Sequence, residues 1–216
     1  MPRILRTMLI PANSVQLEAQ LKEPKGKLRG AVVICHPHPQ YGGTMDNRVV
    51  YRAGKAIVEA GFAALRFNFR GAGNSTGQFD QGIGEKDDVA AALDWLGKQY
   101  PDAPLALIGY SFGAWVGLQV ACFSQRVQAM VGIGLPLNLF NLDYLAEYKK
   151  PALYIVGTED EFCSQENLDK LARRLPDSSM LSRIQDADHY FTNHIEVIQD
   201  LIAEFFKNLS LSQGAA

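Results

Sequence analysis

Gly109-Tyr110-Ser111-Phe112-Gly113 follows an apolar run at residues 103–108 and precedes a helix-like stretch at residues 114–122. The run reads as a buried strand, so these five residues must turn a strand into a helix. A serine at such a corner is forced into a tight backbone turn that lifts its hydroxyl clear of the sheet. Gly109 and Gly113, two residues to either side, leave room for neighbouring backbone to close in. The next amide, that of Phe112, is left pointing at whatever the hydroxyl attacks. The corner therefore predicts a nucleophilic serine and acyl-transfer chemistry.

Outward from this corner, strand-like and helix-like segments alternate, which predicts an α/β fold with a mostly parallel, doubly wound sheet and helices on both faces. Short runs at residues 7–10 and 15–21, separated by Pro11-Ala12-Asn13-Ser14, read as an antiparallel hairpin at one edge. Residues 31–35 form a continuous apolar run, as a strand buried on both faces requires. Asp46 or Asn47 is expected to cap a helix ending at Gly61, with Val49, Val50, Ala53 and Ile57 on one face. A strand at residues 62–69 follows. Glu85, Asp87 and Asp88 suit the positive end of the next helix, whose apolar stripe is Val89, Leu93 and Leu96. Further strands are expected at residues 127–133, 152–156 and 180–184, with a helix carrying Leu168, Leu171 and Leu175 between the last two. A final helix is expected from Asn193 to Leu209, with Glu196 as capping-box partner. The count is roughly eight strands and five or six helices, as in one doubly wound domain spanning the chain. Between Gly134 and Pro151 there is room for one short helix and its turns, too little for a cap domain.

Bulk properties narrow the function. A chain of 216 residues with 47% hydrophobic content can bury one substantial core and is short for two. A net charge of −2 argues against nucleic acid or an anionic membrane as main partner. Cys35, Cys122 and Cys163 are widely spaced, which fits reduced thiols better than disulfides or a metal site. Residues 1–10 carry Arg3 and Arg6 without an apolar core of signal-peptide length, and no run reaches the roughly 18 apolar residues that would suggest a membrane helix. A soluble, cytoplasmic protein is expected, as monomer or homodimer, with a small-molecule partner.

A serine hydroxyl needs a base to take its proton and a third group to orient that base. Gly157-Thr158-Glu159-Asp160 follows one buried strand, and Asp186-Ala187-Asp188-His189 follows the last. Both loops belong at the carboxyl edge of the sheet, where catalytic groups of open α/β sheets collect. Glu159, Asp160 and Glu161 compete for the acid, with Asp143 as runner-up. His189 competes with His194, which would sit in the first turn of the final helix, where a cationic imidazole is disfavoured. Two amides must also hold the developing oxyanion. Phe112 supplies one; in His36-Pro37-His38-Pro39 the prolines lack an amide hydrogen, leaving the backbone of His38 for the other. His36 and His38 at spacing two invite a zinc reading, but no third ligand is near, and no metal or cofactor is expected.

The elbow, together with Cys35-His36-Pro37-His38-Pro39, Gly42-Gly43-Thr44-Met45-Asp46-Asn47 and Asn68-Phe69-Arg70-Gly71-Ala72-Gly73-Asn74-Ser75, resembles small, capless bacterial α/β-hydrolases related to dienelactone hydrolase. The resemblance extends through Phe79-Asp80 and Gly84-Glu85 and covers about residues 5 to 207. It implies the chain order serine, acid, histidine, and hence Ser111, Asp160 and His189 as the triad, with Asp160 at the usual spacing after its strand. Dienelactone hydrolase uses a cysteine nucleophile where this chain has Ser111, so its lactone substrate is not carried over. The expected activity is hydrolysis of small to medium carboxylic esters through an acyl-serine. Thioester or peptide cleavage by the same triad, and a non-catalytic binding protein, are the alternatives. Acting as base requires His189 to be neutral, so activity should fall on acidification. Tyr41, Leu135, Phe140, Phe162 and Tyr190 are the expected substrate-pocket residues, and Arg70 is expected to tie its loop together.

Overall fold

The computed structural model describes residues 5–210; residues 1–4 and 211–216, Arg3 among them, lie outside the description. Eight strands form one sheet in the order β1-β2-β4-β3-β5-β6-β7-β8. They are β1 (Leu5–Ala12), β2 (Val15–Lys22), β3 (Gly30–Cys35), β4 (Phe62–Phe67), β5 (Leu105–Tyr110), β6 (Val127–Ile133), β7 (Ala152–Gly157) and β8 (Ser179–Ile184). Only β2 runs against its neighbours; from β4 to β8 every pairing is parallel. β3, β4, β5 and β7 are buried along their whole length, which explains sequences that are apolar but for Arg66 in β4, whose guanidinium donates to the Met45 carbonyl and the Gln20 side chain.

Helices α1 (Arg48–Glu59) and α5 (Ile195–Asn208) cover one face of the sheet. Helices α2 (Gly84–Gln99), α3 (Phe112–Phe123) and α4 (Gln165–Ala172) cover the other. Val49, Val50, Ala53 and Ile57 all face the core from α1, and Asn47 caps it by accepting from the Val49 amide at 2.9 Å. The segment between β6 and β7 holds one short 3-10 helix, Asp143–Glu147, and no cap domain. Among the described residues no helix is long and apolar enough to cross a membrane.

Several boundaries differ from the sequence reading, each for a local reason. Pro11 and Ala12 belong to β1, paired with Gln16 and Val15, so the hairpin turn is only Asn13-Ser14. Pro11 is tolerated because β1 is an edge strand. β4 stops at Phe67 because Asn68 turns away, its amide donating to Glu18 and its side chain accepting from Met45. Leu175 lies beyond the end of α4 but still packs on the core. The capping box at α5 does not form: Asn193 sits at φ 63°, His194 is the cap residue, and Glu196 pairs with Arg52 instead. Glu85 and Asp88 do more than face the α2 dipole, being fully buried and bonded to loops described below.

The sheet order creates the crevice. The chain leaves β3 through α1 toward β4 on one side, and leaves β5 through α3 toward β6 on the other. Adjacent strands whose connections depart in opposite directions open a cleft at their carboxyl ends. The His36–His38 loop and Ser111 stand at that cleft.

Candidate active site

Ser111 joins β5 to α3 at φ 54° and ψ −117°, a left-handed conformation that a non-glycine residue adopts only where its surroundings enforce it. Its amide donates to Ile133 on the neighbouring strand at 2.9 Å. Both flanking glycines are demanded by close backbone approach. A Cβ on Gly113 would stand 2.5 Å from the His36 carbonyl oxygen, and one on Gly109 would collide with Gly113 and Ala114. Phe112 opens α3, so its amide lies in the first turn, where helical amides have no partner within the helix.

The acid and the histidine arrive on loops that brace each other. Asp186 donates its amide to the Thr158 hydroxyl at 2.8 Å, and Glu159 donates to the Ala187 carbonyl at 3.0 Å. Asp188 accepts from the Thr192 amide and hydroxyl at 2.8 and 2.7 Å, which closes the loop after His189. Asp186, Phe191 and Asn193 all have positive φ, so this loop is held in a conformation its residues do not prefer. Tyr110 steadies it from below, its hydroxyl donating to the His189 carbonyl at 3.1 Å. Gly134, at φ 56°, leaves room for the imidazole: a Cβ there would be 3.2 Å from His189 Cε1.

The result is a continuous chain of contacts. His189 Nε2 is 2.8 Å from Ser111 Oγ, and His189 Nδ1 is 2.9 Å from each oxygen of Asp160. The Asp160 side chain is fully buried and also accepts from the Phe162 amide at 2.9 Å. A carboxylate only accepts, so Nδ1 carries the ring proton and the Nε2 lone pair faces the serine hydroxyl. The competing residues stand apart. Asp143 is exposed and paired with Arg174 at 2.6 Å, Glu159 and Glu161 face solvent, and His194 contacts the Thr192 carbonyl.

The loop after β3 is organised by His36, which is completely buried. Its Nε2 accepts from the Phe69 amide at 2.9 Å, so Nδ1, 2.6 Å from the Pro37 carbonyl, must be the donor. Burial drives its pKa down to about 4; the adjacent His38 adds to the drop, while the bond to Pro37 opposes it. With both ring nitrogens engaged inside the protein, His36 has no lone pair for zinc. Among the described residues no three metal-binding side chains come together. His38 turns the chain, its carbonyl accepting from Tyr41 and Gly43 at 3.1 Å each, and its ring lies 4.9 Å from that of Phe112. Burial lowers its pKa, with Glu85 opposing.

Of the expected pocket residues, Phe162 and Tyr190 pack edge-on against His189 at 4.6 and 5.6 Å between ring centroids. Tyr41 is 86% exposed and leans on His38 at 4.7 Å. Phe140 stacks on Trp115. Leu135 is fully buried, its side chain packed in the space above Gly132. Trp115, Phe79 and His36 are near the elbow without having been singled out for it. Trp115 had a legible signal, since it lies four residues after Ser111, one helical turn along. Arg70 clasps the buried Asp88 through Nε at 3.1 Å and Nη2 at 2.7 Å. Glu85 accepts from the amides of Asp80 and Gly82 at 2.7 and 2.8 Å, so these buried acids hold the loop that carries Phe79. A separate groove of about 580 Å³ between β8 and α5, lined by Met180, Leu201, Phe205 and Leu209, contains none of these groups.

A serine raised between a strand and a helix on this sheet is the arrangement of an α/β-hydrolase. A model of the alpha/beta hydrolase domain matches residues 29–201, and the chain belongs to that family. In structure it is similar to an alpha-beta serine hydrolase homologue from Coxiella burnetii, 32% identical with a TM-score of 0.86 over 92% of this chain and 96% of that one. A serine hydrolase without lid from Xanthomonas campestris is 28% identical, with a TM-score of 0.86 over 95% of this chain and 94% of that one. In sequence it is similar to the mitochondrial palmitoyl-protein thioesterase ABHD10 of Bos taurus, 30% identical over 54% of this chain. The chain spans only 37% of that protein's length.

Proposed function

We propose that this chain is a serine hydrolase that cleaves carboxylic esters of small to medium size through an acyl-serine intermediate. The observation that carries the reading is the run of contacts from Asp160 through His189 to Ser111, 2.9 and 2.8 Å long. In this reading Ser111 Oγ attacks the carbonyl carbon while His189 Nε2 takes its proton. Asp160 holds the imidazole in the required tautomer and steadies its cationic form. The amides of Phe112 and His38 receive the oxyanion, each contributing on the order of 3 kcal/mol to lowering the barrier. His189 then protonates the departing alcohol, and water removes the acyl group by the same steps in reverse. The kinship with dienelactone hydrolases and a cytoplasmic location belong to this proposal.

A second reading, hydrolysis of acyl thioesters, draws on the similarity to the palmitoyl-protein thioesterase. Both reactions pass through the same acyl-serine, so the leaving atom alone distinguishes them. The test is release of p-nitrophenol from acetyl, butyryl and hexanoyl esters, together with labelling by a fluorophosphonate. Ser111→Ala should abolish both. Ester turnover that survives in Ser111→Ala, or a wild-type serine that the probe leaves unlabelled, defeats the proposal.

A further inference from the structure

An oxyanion donor on the backbone works only if its peptide plane faces the right way. In a trans peptide the carbonyl and the N–H point in opposite directions, so whatever holds the Pro37 carbonyl also aims the His38 hydrogen. No cis peptide occurs among the described residues. The flanking prolines restrict part of this backbone. The ring of Pro37 fixes its φ, and Pro39 confines His38 to extended backbone, at φ −54° and ψ 120°. What they leave free is rotation of the plane itself, through ψ of Pro37 and φ of His38.

Two contacts stop that rotation. His36 Nδ1 lies 2.6 Å from the Pro37 carbonyl oxygen. It is the donor there because the other ring nitrogen takes the Phe69 amide hydrogen at 2.9 Å, and a backbone amide can only donate. Gly43 closes on the same plane: a Cβ on it would stand 2.2 Å from the Pro37 oxygen and 2.6 Å from the carbon. The segment abuts the elbow, since the His36 carbonyl oxygen packs onto Gly113 and the rings of His38 and Phe112 are 4.9 Å apart. The His38 amide donates to no backbone carbonyl among the described residues. Asn68, which precedes Phe69, accepts from the Met45 amide at 2.7 Å, so the loop after β4 grips this segment at both ends.

We infer that His36 is a positioning residue for the oxyanion: its Nδ1–H, held on the Pro37 carbonyl, turns the His38 N–H toward the carbonyl oxygen of the substrate. This rests on the catalytic reading above. The Phe69 amide sets the tautomer, the tautomer holds the carbonyl, and the carbonyl aims the donor. A carbonyl that accepts a hydrogen bond also makes the N–H of its own peptide a stronger donor. The effect falls on kcat, because the donor meets full negative charge only in the transition state.

Two substitutions divide the ring contacts. His36→Gln places an amide where Nε2 stands and can accept from Phe69, but leaves no donor for Pro37. His36→Asn carries its NH2 where Nδ1 stands and keeps that donor while losing Phe69. Gly43→Ala leaves His36 intact and displaces the peptide by crowding, which keeps the test open if a buried glutamine prevents folding. Each is compared with wild type for kcat and KM on p-nitrophenyl butyrate, Ki for an alkyl trifluoromethyl ketone, and Tm. His36→Gln should lower kcat about 100-fold with little change in KM and weaken the ketone by a matching factor. Gly43→Ala should lose about tenfold or more on both, and His36→Asn should stay within about tenfold of wild type on both, whatever its Tm. A purely structural role would make kcat follow Tm and leave ketone affinity behind. The assignment is overturned if His36→Gln or Gly43→Ala keeps kcat within about threefold of wild type, or if His36→Asn is as impaired as His36→Gln. It is equally overturned if the ketone binds every variant alike. A wild-type protein that hydrolyses no ester overturns the proposed function, and this assignment with it.

Discussion

Acidification should destabilise this protein through His36, a residue with no part in the proton transfers at Ser111. In the unfolded chain an imidazole titrates near its ordinary value of about 6.5. In the folded protein the His36 pKa is pushed down to about 4, because the ring is fully buried and its Nε2 must stay unprotonated to accept from Phe69. Above about pH 6.5 both states are neutral at this site and its contribution to stability is complete. Between that pH and 4 only the unfolded chain takes up the proton, so stability falls as pH falls; below 4 the loss is complete. At pH 5 the deficit is about 2 kcal/mol, since one pKa unit corresponds to about 1.4 kcal/mol. Urea unfolding at pH 7.5 and pH 5, for wild type and His36→Asn, isolates the effect from every other titrating group. With a slope of about 2 to 3 kcal/mol per molar, the wild-type midpoint should drop about 0.7 to 1 M more than that of the variant. Equal drops in the two proteins would refute the account of His36, whatever the variant's absolute stability.

Three further outcomes are expected. Asp160→Asn keeps the side-chain volume but not the tautomer of His189, so kcat for p-nitrophenyl butyrate should fall about 10⁴-fold with little change in KM; a loss under tenfold would contradict the triad. Gly134→Ala introduces a left-handed alanine and a Cβ 3.2 Å from the imidazole. It should cost about 1 to 2 kcal/mol in thermal unfolding and lower kcat by more than tenfold, and an unchanged kcat would show that the imidazole does not depend on this glycine. Arg70→Met strips the side-chain partner from the fully buried Asp88 and should destabilise by about 3 to 5 kcal/mol in urea, part of which Arg70→Met/Asp88→Leu recovers; a loss below about 1 kcal/mol would show that water already satisfies Asp88.

Much of the layout is written in local pattern. Buried parallel strands are sequences such as Leu105–Tyr110, apolar throughout, because both faces are covered. The Asn47 cap and the glycines around Ser111 are legible because each answers a requirement confined to a few residues. The misreadings fall where a distant group takes over a local signal. Glu196 fits a capping box by spacing, yet Asn193 stands at φ 63° and Glu196 pairs with Arg52 on α1. Glu85 and Asp88 look like ordinary dipole partners at a helix start, yet the chain folds loops over them and buries both.

The sequence by itself determined the fold and nominated Ser111, Asp160 and His189, because strand character, elbow glycines and loop position are properties of short stretches of chain. Only the tertiary structure decided that these side chains meet, which of the neighbouring carboxylates faces the imidazole, and that Phe140 lies flat on Trp115. Those contacts join residues from 25 to 78 positions apart, and distances across such loops depend on how the sheet and its helices pack.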